Sequence, residues 1–225
     1  MDWLVIGWYT PDYGEPANKF AENLLKYKIA FRLYPVPKQK EWGTQRKPEI
    51  VLKAMKDYPQ STLILMDVDC IIRGPLEGIQ NFIGDVSINI SGTDISNKGK
   101  IWRRPIQIVA SSRVIGFKPT REARKFVNRW KEFCSSSHYS GDETALAWAY
   151  LASPGAQFSY INPIYSGTEL FKTTPDDILV VHSSARNKFL LNGSIKEWFK
   201  GIERKYLRSG KSKKLKKPLY KIAIE

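Results

Sequence analysis

The 225-residue chain carries 36 Lys and Arg against 22 Asp and Glu, a formal net charge of +14, and 42% of its residues are hydrophobic. That length and apolar content suit one ordinary domain with a real core and exclude a disordered chain; no window of about 18 uninterrupted apolar residues marks a membrane span. Two cysteines, Cys70 and Cys134, have no partner at metal or redox spacing, and the excess of cations calls for an anionic partner: nucleic acid, an anionic membrane face or a phosphorylated substrate.

Met1-Asp2-Trp3 runs straight into the strand-like Leu4–Trp8, without the basic start or small-residue cleavage site of a signal peptide. With only two unpaired cysteines, the expectation is a reducing, cytoplasmic setting. Tyr9 to Gly14 is the loop after the first strand. Phe20, Leu24 and Tyr27 recur at helical spacing, so residues 16–27 read as a helix. Ile29 to Val36 reads as a second strand, closed by Pro35 and Pro37, and 38–47 as a polar loop rich in cations. Pro48 suits the first turn of a helix carrying Ile50, Val51, Ala54 and Met55. Thr62 to Met66 is a third strand. Strand, helix, strand, helix, strand is an α/β pattern with parallel pairing.

The third strand ends in Asp67-Val68-Asp69. Buried carboxylates are costly unless a cation or strong donors compensate them, so both should emerge where the strand opens onto a crevice, the place ligands take in open α/β sheets. At spacing two in a strand they point the same way, which suits a hard divalent cation that bridges phosphate oxygens.

Arg73-Gly74-Pro75 reads as a turn, and Leu76, Ile79 and Phe82 as a short helix. Val86 to Ile90 is strand-like, and the polar loop 91–100 has the character of a lid. Ile106–Ala110 and Val114–Phe117 read as two further strands. Thr120 caps a helix running to Phe133, with Ala123, Phe126, Val127 and Trp130 on one face. Gly141-Asp142-Glu143 opens a helix to Leu151; Asp142 also has the chemistry of an N-cap, and Glu143 that of a first-turn acid favoured by the helix dipole. Phe158–Ile161 and Ile178–Val181 are short strands. His182 follows the second of these, so it too should reach the crevice, where imidazole is a usual partner of carboxylates at a metal site; Lys188 could there meet a phosphate. Ser194 caps a last helix with Ile195, Trp198, Phe199 and Ile202. Residues 208–225 form a basic tail, and Arg204 to Lys217 holds eight cations, a run that also suits a solvated tail.

Four segments, in this order, resemble a GT-A-fold, metal-dependent nucleotide-sugar glycosyltransferase of the retaining, galactosyltransferase-like (glycogenin/LgtC-type) group. They are the aromatic, Thr-containing loop after strand one; Leu65-Met66-Asp67-Val68-Asp69, similar to the family's Asp-X-Asp; Gly141-Asp142-Glu143-Thr144-Ala145-Leu146, similar to its Asp-Gln-Asp-X-Leu; and His182 with Lys188, similar to its His-X-X-Gly-X-X-Lys. Ser111 to Phe117 loosely resembles the Asn-X-Gly-Val stretch near the donor sugar. Ala185 stands where the family has Gly, and Glu143 where it has Gln. The resemblance covers residues 3–200. It implies a single Rossmann-like α/β domain, residues 1–207, with a mixed, mainly parallel sheet flanked by helices.

The resemblance further implies Mn2+ or Mg2+ on Asp69 and His182, with Asp67 assisting or holding the ribose. Tyr9, Thr10 and Tyr13 would hold the base of a UDP- or GDP-sugar, with Arg46, Lys47 and Lys188 near its phosphates and Ser112 near its sugar. Asp142 and Glu143 would face the donor sugar as catalytic groups. The acceptor would be a glycan, a protein or a lipid-linked sugar, and the basic tail would hold the enzyme against an anionic membrane surface. The charge alone equally suits a nucleic-acid-binding protein, although no zinc, helix-turn-helix or RNA-binding signature is present; a metal-dependent nucleotidyltransferase would share the paired carboxylates.

Overall fold

The computed structural model describes residues 2–37, 46–93, 107–135, 141–168 and 178–182. The chain divides into two compact units, Met1–His182 and Ser183–Glu225, and the described residues all belong to the first. Lys188, the helix expected after Ser194, the basic tail and most of the polar segments 38–47 and 91–100 lie outside them.

Among the described residues, six strands form a central sheet in the order β2-β1-β3-β6-β5-β7. These are β1 (Trp3–Tyr9), β2 (Phe31–Pro35), β3 (Thr62–Met66), β5 (Val86–Thr93), β6 (Gln107–Phe117) and β7 (Phe158–Tyr160). β1 runs parallel to both β2 and β3, and β7 runs parallel to β5. β6 is antiparallel to both its neighbours, so the sheet is mixed and mostly parallel. A smaller sheet joins β4 (Cys70–Ile72), β9 (Val180–His182) and β8 (Gly167–Thr168), with β4 and β9 antiparallel.

Helices cover both faces, and the strand patterns follow from this. Leu4, Ile6, Leu63 and Leu65 pack on the side of α2 (Lys47–Asp57), α3 (Arg121–Ser135) and α4 (Asp142–Leu151). Val5, Ile64 and Met66 pack on the other side, with Ala17, Phe20 and Leu24 of α1 (Gly14–Lys26). Every residue of β3 is buried, as expected of a short apolar run covered on two faces. The chain runs from β1 through α1 to β2 on one side, and then from β2 through α2 to β3 on the other side of β1. The strand order therefore reverses at β1, and the carboxyl ends of β1 and β3 flank the crevice that such a reversal creates.

Three expectations are revised. The two strands read at 106–110 and 114–117 are one, β6. It is irregular: its pairing with β5 jumps between Ser87–Gly116 and Asn89–Ser111, and the residues in between, Val114 and Ile115, pair with β3 instead. The short helix expected over Leu76–Phe82 is a set of turns, because Gly78 sits at φ +87°, a left-handed conformation that ends helical winding. Lys47 is the first residue of α2 rather than the end of a loop. The residues after Asp69 form β4 in the second sheet. The cap at Thr120 is present: its Oγ1 accepts the Ala123 N–H at 3.1 Å.

Candidate functional site

Three distant segments are brought to one place by backbone pairing. Asp67 follows β3, and its N–H donates to the Arg113 carbonyl of β6 (3.1 Å). A tight turn, closed by Cys70 N–H to the Asp67 carbonyl (3.0 Å), carries the chain past Asp69 into β4. β4 then pairs with β9 so that Cys70 lies opposite His182, which sets the imidazole beside Asp69. Gly7 makes room for this turn. A Cβ there would lie 3.1 Å from the Met66 carbonyl oxygen and 3.3 Å from Val68 Cγ1, so β1 can press against the residues that carry the two aspartates.

His182 Nε2 lies 3.1 Å from Asp69 Oδ1 and 3.5 Å from Asp67 Oδ2. One ligand atom from each of these residues falls within 4.8 Å of the others. Oxygen ligands about 2.1 Å from an octahedral ion stand about 3 Å apart at adjacent positions, and the ring nitrogen already stands at about that spacing from each of the two oxygens. Two carboxylates with an imidazole form a donor set for a divalent ion rather than a thiolate site. Burial disfavours charge on His182, but hydrogen bonds to Asp67 and Asp69 outweigh it and push the imidazole up to about 9. Without an ion, a proton thus takes the cationic place.

On the other side of Asp67 sits Lys47, 3% exposed. Its Nζ is 2.8 Å from Asp67 Oδ1 and 3.2 Å from Asp142 Oδ2. It also donates to Ser112, 2.9 Å to Oγ and 3.2 Å to the carbonyl. Ser112 Oγ donates in turn to Asp142 Oδ2 at 2.6 Å. Burial works against the ammonium, yet Asp67 and Asp142 outweigh it and hold its pKa above the ordinary lysine value. For Asp67, burial acts against the carboxylate, and Lys47 and His182 prevail and lower its pKa. Asp142 opens α4 without capping it: the N-cap is Gly141, and the carboxylate turns inward to Lys47 and Ser112. Its carbonyl accepts the Trp130 Nε1 proton from α3 (3.1 Å).

Six of the residues expected from sequence therefore meet here: Lys47, Asp67, Asp69, Ser112, Asp142 and His182. Glu143, next along α4, is exposed. Tyr9 ends β1, and Thr10 precedes a 3-10 turn, Pro11–Tyr13, with Tyr13 N–H donating to the Thr10 carbonyl; they occupy the carboxyl end of β1, beside β3. Arg46 is the residue before α2. Trp130 is a site residue that helical periodicity assigns to the core alone. The signal for it was chemical: a buried indole N–H needs an acceptor. Cys70 adjoins the site but offers no nucleophile, because burial, with Asp67 and Asp69 nearby, pushes its thiol well up.

No protein-family model matches the chain, and no curated protein matches its sequence. Solved structures do. A glycosyltransferase involved in glycosylation of the major capsid of PBCV-1 matches with a TM-score of 0.56 at 15% identity, over 82% of this chain and 94% of that one. The glycosyltransferase GlyE of Streptococcus pneumoniae TIGR4 matches with a TM-score of 0.51 at 12% identity, over 81% of this chain and 54% of GlyE, so the match spans about half of GlyE. At such identities the likeness is one of fold: the chain has the GT-A-like α/β fold of these glycosyltransferases.

Proposed function

We propose that this chain is a metal-dependent glycosyltransferase that moves a sugar from a nucleoside-diphosphate sugar to a glycan, a protein or a lipid-linked acceptor, with retention at the anomeric carbon. The observation that carries the reading is the convergence of Asp67, Asp69 and His182 at the carboxyl end of β3, in a fold shared with glycosyltransferases. Asp69, His182 and the Oδ2 side of Asp67 would hold Mn2+ or Mg2+. When bound, the ion supplies positive charge where a diphosphate leaving group becomes anionic.

The chain's own residues do the rest. Tyr9, Thr10 and Tyr13, at the end of the neighbouring parallel strand, hold the base of a UDP- or GDP-sugar, partly by stacking. Arg46 and Lys188 add positive charge to the phosphates. Asp142 and Glu143, at the start of α4, face the donor sugar: one orients its hydroxyls, the other stabilises an oxocarbenium-like centre. Ser112 and Trp130 hold Asp142 in place from its carboxylate and its carbonyl.

No described helix is long and apolar enough to cross a membrane. Residues 183–225 hold thirteen Lys and Arg against three Glu, so most of the excess charge belongs to the end of the chain. Near an anionic leaflet each such cation contributes about 1 kcal/mol, which supports a cytoplasmic enzyme resting on the inner face of a membrane. Deleting 209–225 is expected to spare donor hydrolysis and weaken binding to anionic liposomes.

The deciding experiment is thermal unfolding with UDP or GDP, with and without Mn2+, in the wild type and in Asp69→Ala. Stabilisation by nucleotide that requires the ion, and that Asp69→Ala abolishes while the variant stays folded, is the expected result. Unchanged binding in Asp69→Ala counts against the assignment. Salt-sensitive binding to DNA without any response to nucleotide supports the nucleic-acid reading instead.

A further inference from the structure

We propose that Lys47 is a positioning residue that serves as the site's permanent second cation and so limits the site to one metal ion. An ammonium has three N–H groups. Lys47 faces four acceptors at 2.8, 2.9, 3.2 and 3.2 Å: Asp67 Oδ1, Ser112 Oγ, Asp142 Oδ2 and the Ser112 carbonyl. At 3% exposure it has no N–H left for a substrate. Its charge is spent inside the protein, on two carboxylates from different elements.

Asp67 is what makes this charge equivalent to an ion. Its Oδ1 meets Lys47 and its Oδ2 faces His182. A carboxylate shared in this way between two cationic positions is the arrangement of two-ion sites, where metals about 3.5–4 Å apart clamp one substrate. Here one position is filled from within by a tethered single charge. One unit of the negative charge on Asp142 and Asp67 is offset before any ligand arrives. One ion's place is left, among Asp69, His182 and the second oxygen of Asp67. An ammonium with three rotatable donors suits this position, where four acceptors come from three residues.

The inference rests on the metal reading above for the first ion, but its test reads a difference of one ion between variant and wild type. Lys47→Met removes the charge and keeps much of the stem. Mn2+ binding is counted by electron paramagnetic resonance of the free ion at about pH 8, where carboxylates are ionised, alongside thermal unfolding with chelator and with Mn2+. The wild type is expected to bind one ion and Lys47→Met two. The variant's unfolding midpoint should fall in chelator and recover with Mn2+, by a shift at least twice that of the wild type. Lys47→Arg, which retains the charge, should bind one.

The same ion count in Lys47→Met as in the wild type, with the same response to Mn2+, overturns the proposal. If the wild type binds none and Lys47→Met binds one, the role of Lys47 stands and the metal reading of Asp69 and His182 falls. If Lys47→Met does not fold, Lys47→Met/Asp142→Asn, which removes one charge of each sign, must fold and bind as many ions as the wild type. Failure of that double variant also overturns the proposal.

Discussion

In chelator-treated protein, the proton on His182 should be a measurable part of folding stability. The imidazole lies between Asp69 and Asp67 at 3.1 and 3.5 Å, and its pKa rises from 6.5 unfolded to about 9 folded. A folded-state pKa above the unfolded one means that the folded chain binds the proton more tightly. The contribution is complete below pH 6.5 and disappears as pH climbs through about 9. At about 1.4 kcal/mol per pH unit the whole effect is roughly 3 kcal/mol. Urea unfolding of the wild type and of His182→Asn, in chelator, at steps from about pH 6 to about pH 10, isolates it, because subtraction removes every other titrating group. The difference between the two proteins should shrink by that amount across the range. A difference that stays flat refutes the placement of His182 against the two aspartates. Saturating Mn2+ should flatten it as well, because an ion on the imidazole requires the unprotonated ring.

Two further substitutions probe the framework. Ser112→Ala removes the buried hydroxyl that donates to Asp142 at 2.6 Å and accepts from Lys47 at 2.9 Å; a loss of roughly 1.5–3 kcal/mol in urea unfolding is expected for a hydrogen bond to a charged group, and no change would show that Asp142 does not depend on it. Gly7→Ala forces a methyl against the Met66 carbonyl and Val68. It should cost about 1–3 kcal/mol as overpacking does and weaken Mn2+ binding, whereas full metal affinity at reduced stability would show that the aspartate turn is held independently of β1.

Much of this arrangement was legible from the chain. Thr62–Met66 was too apolar and too short to be anything but a buried strand, and carboxylates directly after such a strand have few places to go except a crevice. The helical spacing of Phe126, Val127 and Trp130 gave α3 its buried face. Legibility failed where long-range pairing decided local form. Nothing near Cys70–Ile72 announces a strand in a second sheet, because its partner is β9. Nothing near Val114 announces that β6 lies between β3 and β5 and so runs unbroken. Lys47 looked like one of many loop cations; its inward path depends on Asp67 and Asp142, both remote in sequence. Leu76–Phe82 had helical spacing but also Gly78, whose backbone conformation prevailed.

The pairing of Cys70 with His182 has a consequence for how the enzyme is born. The sheet from β1 through β7 is complete once residue 160 has been synthesised, whereas His182 arrives later and must dock by a short antiparallel contact of three residues. A nascent chain stalled with β7 emerged and His182 still inside the exit tunnel would display a folded sheet lacking its imidazole. Assembly of the Asp67, Asp69 and His182 cluster is therefore a late event, separable in time from collapse of the core, and pulse-labelling of nascent chains could catch the interval between them.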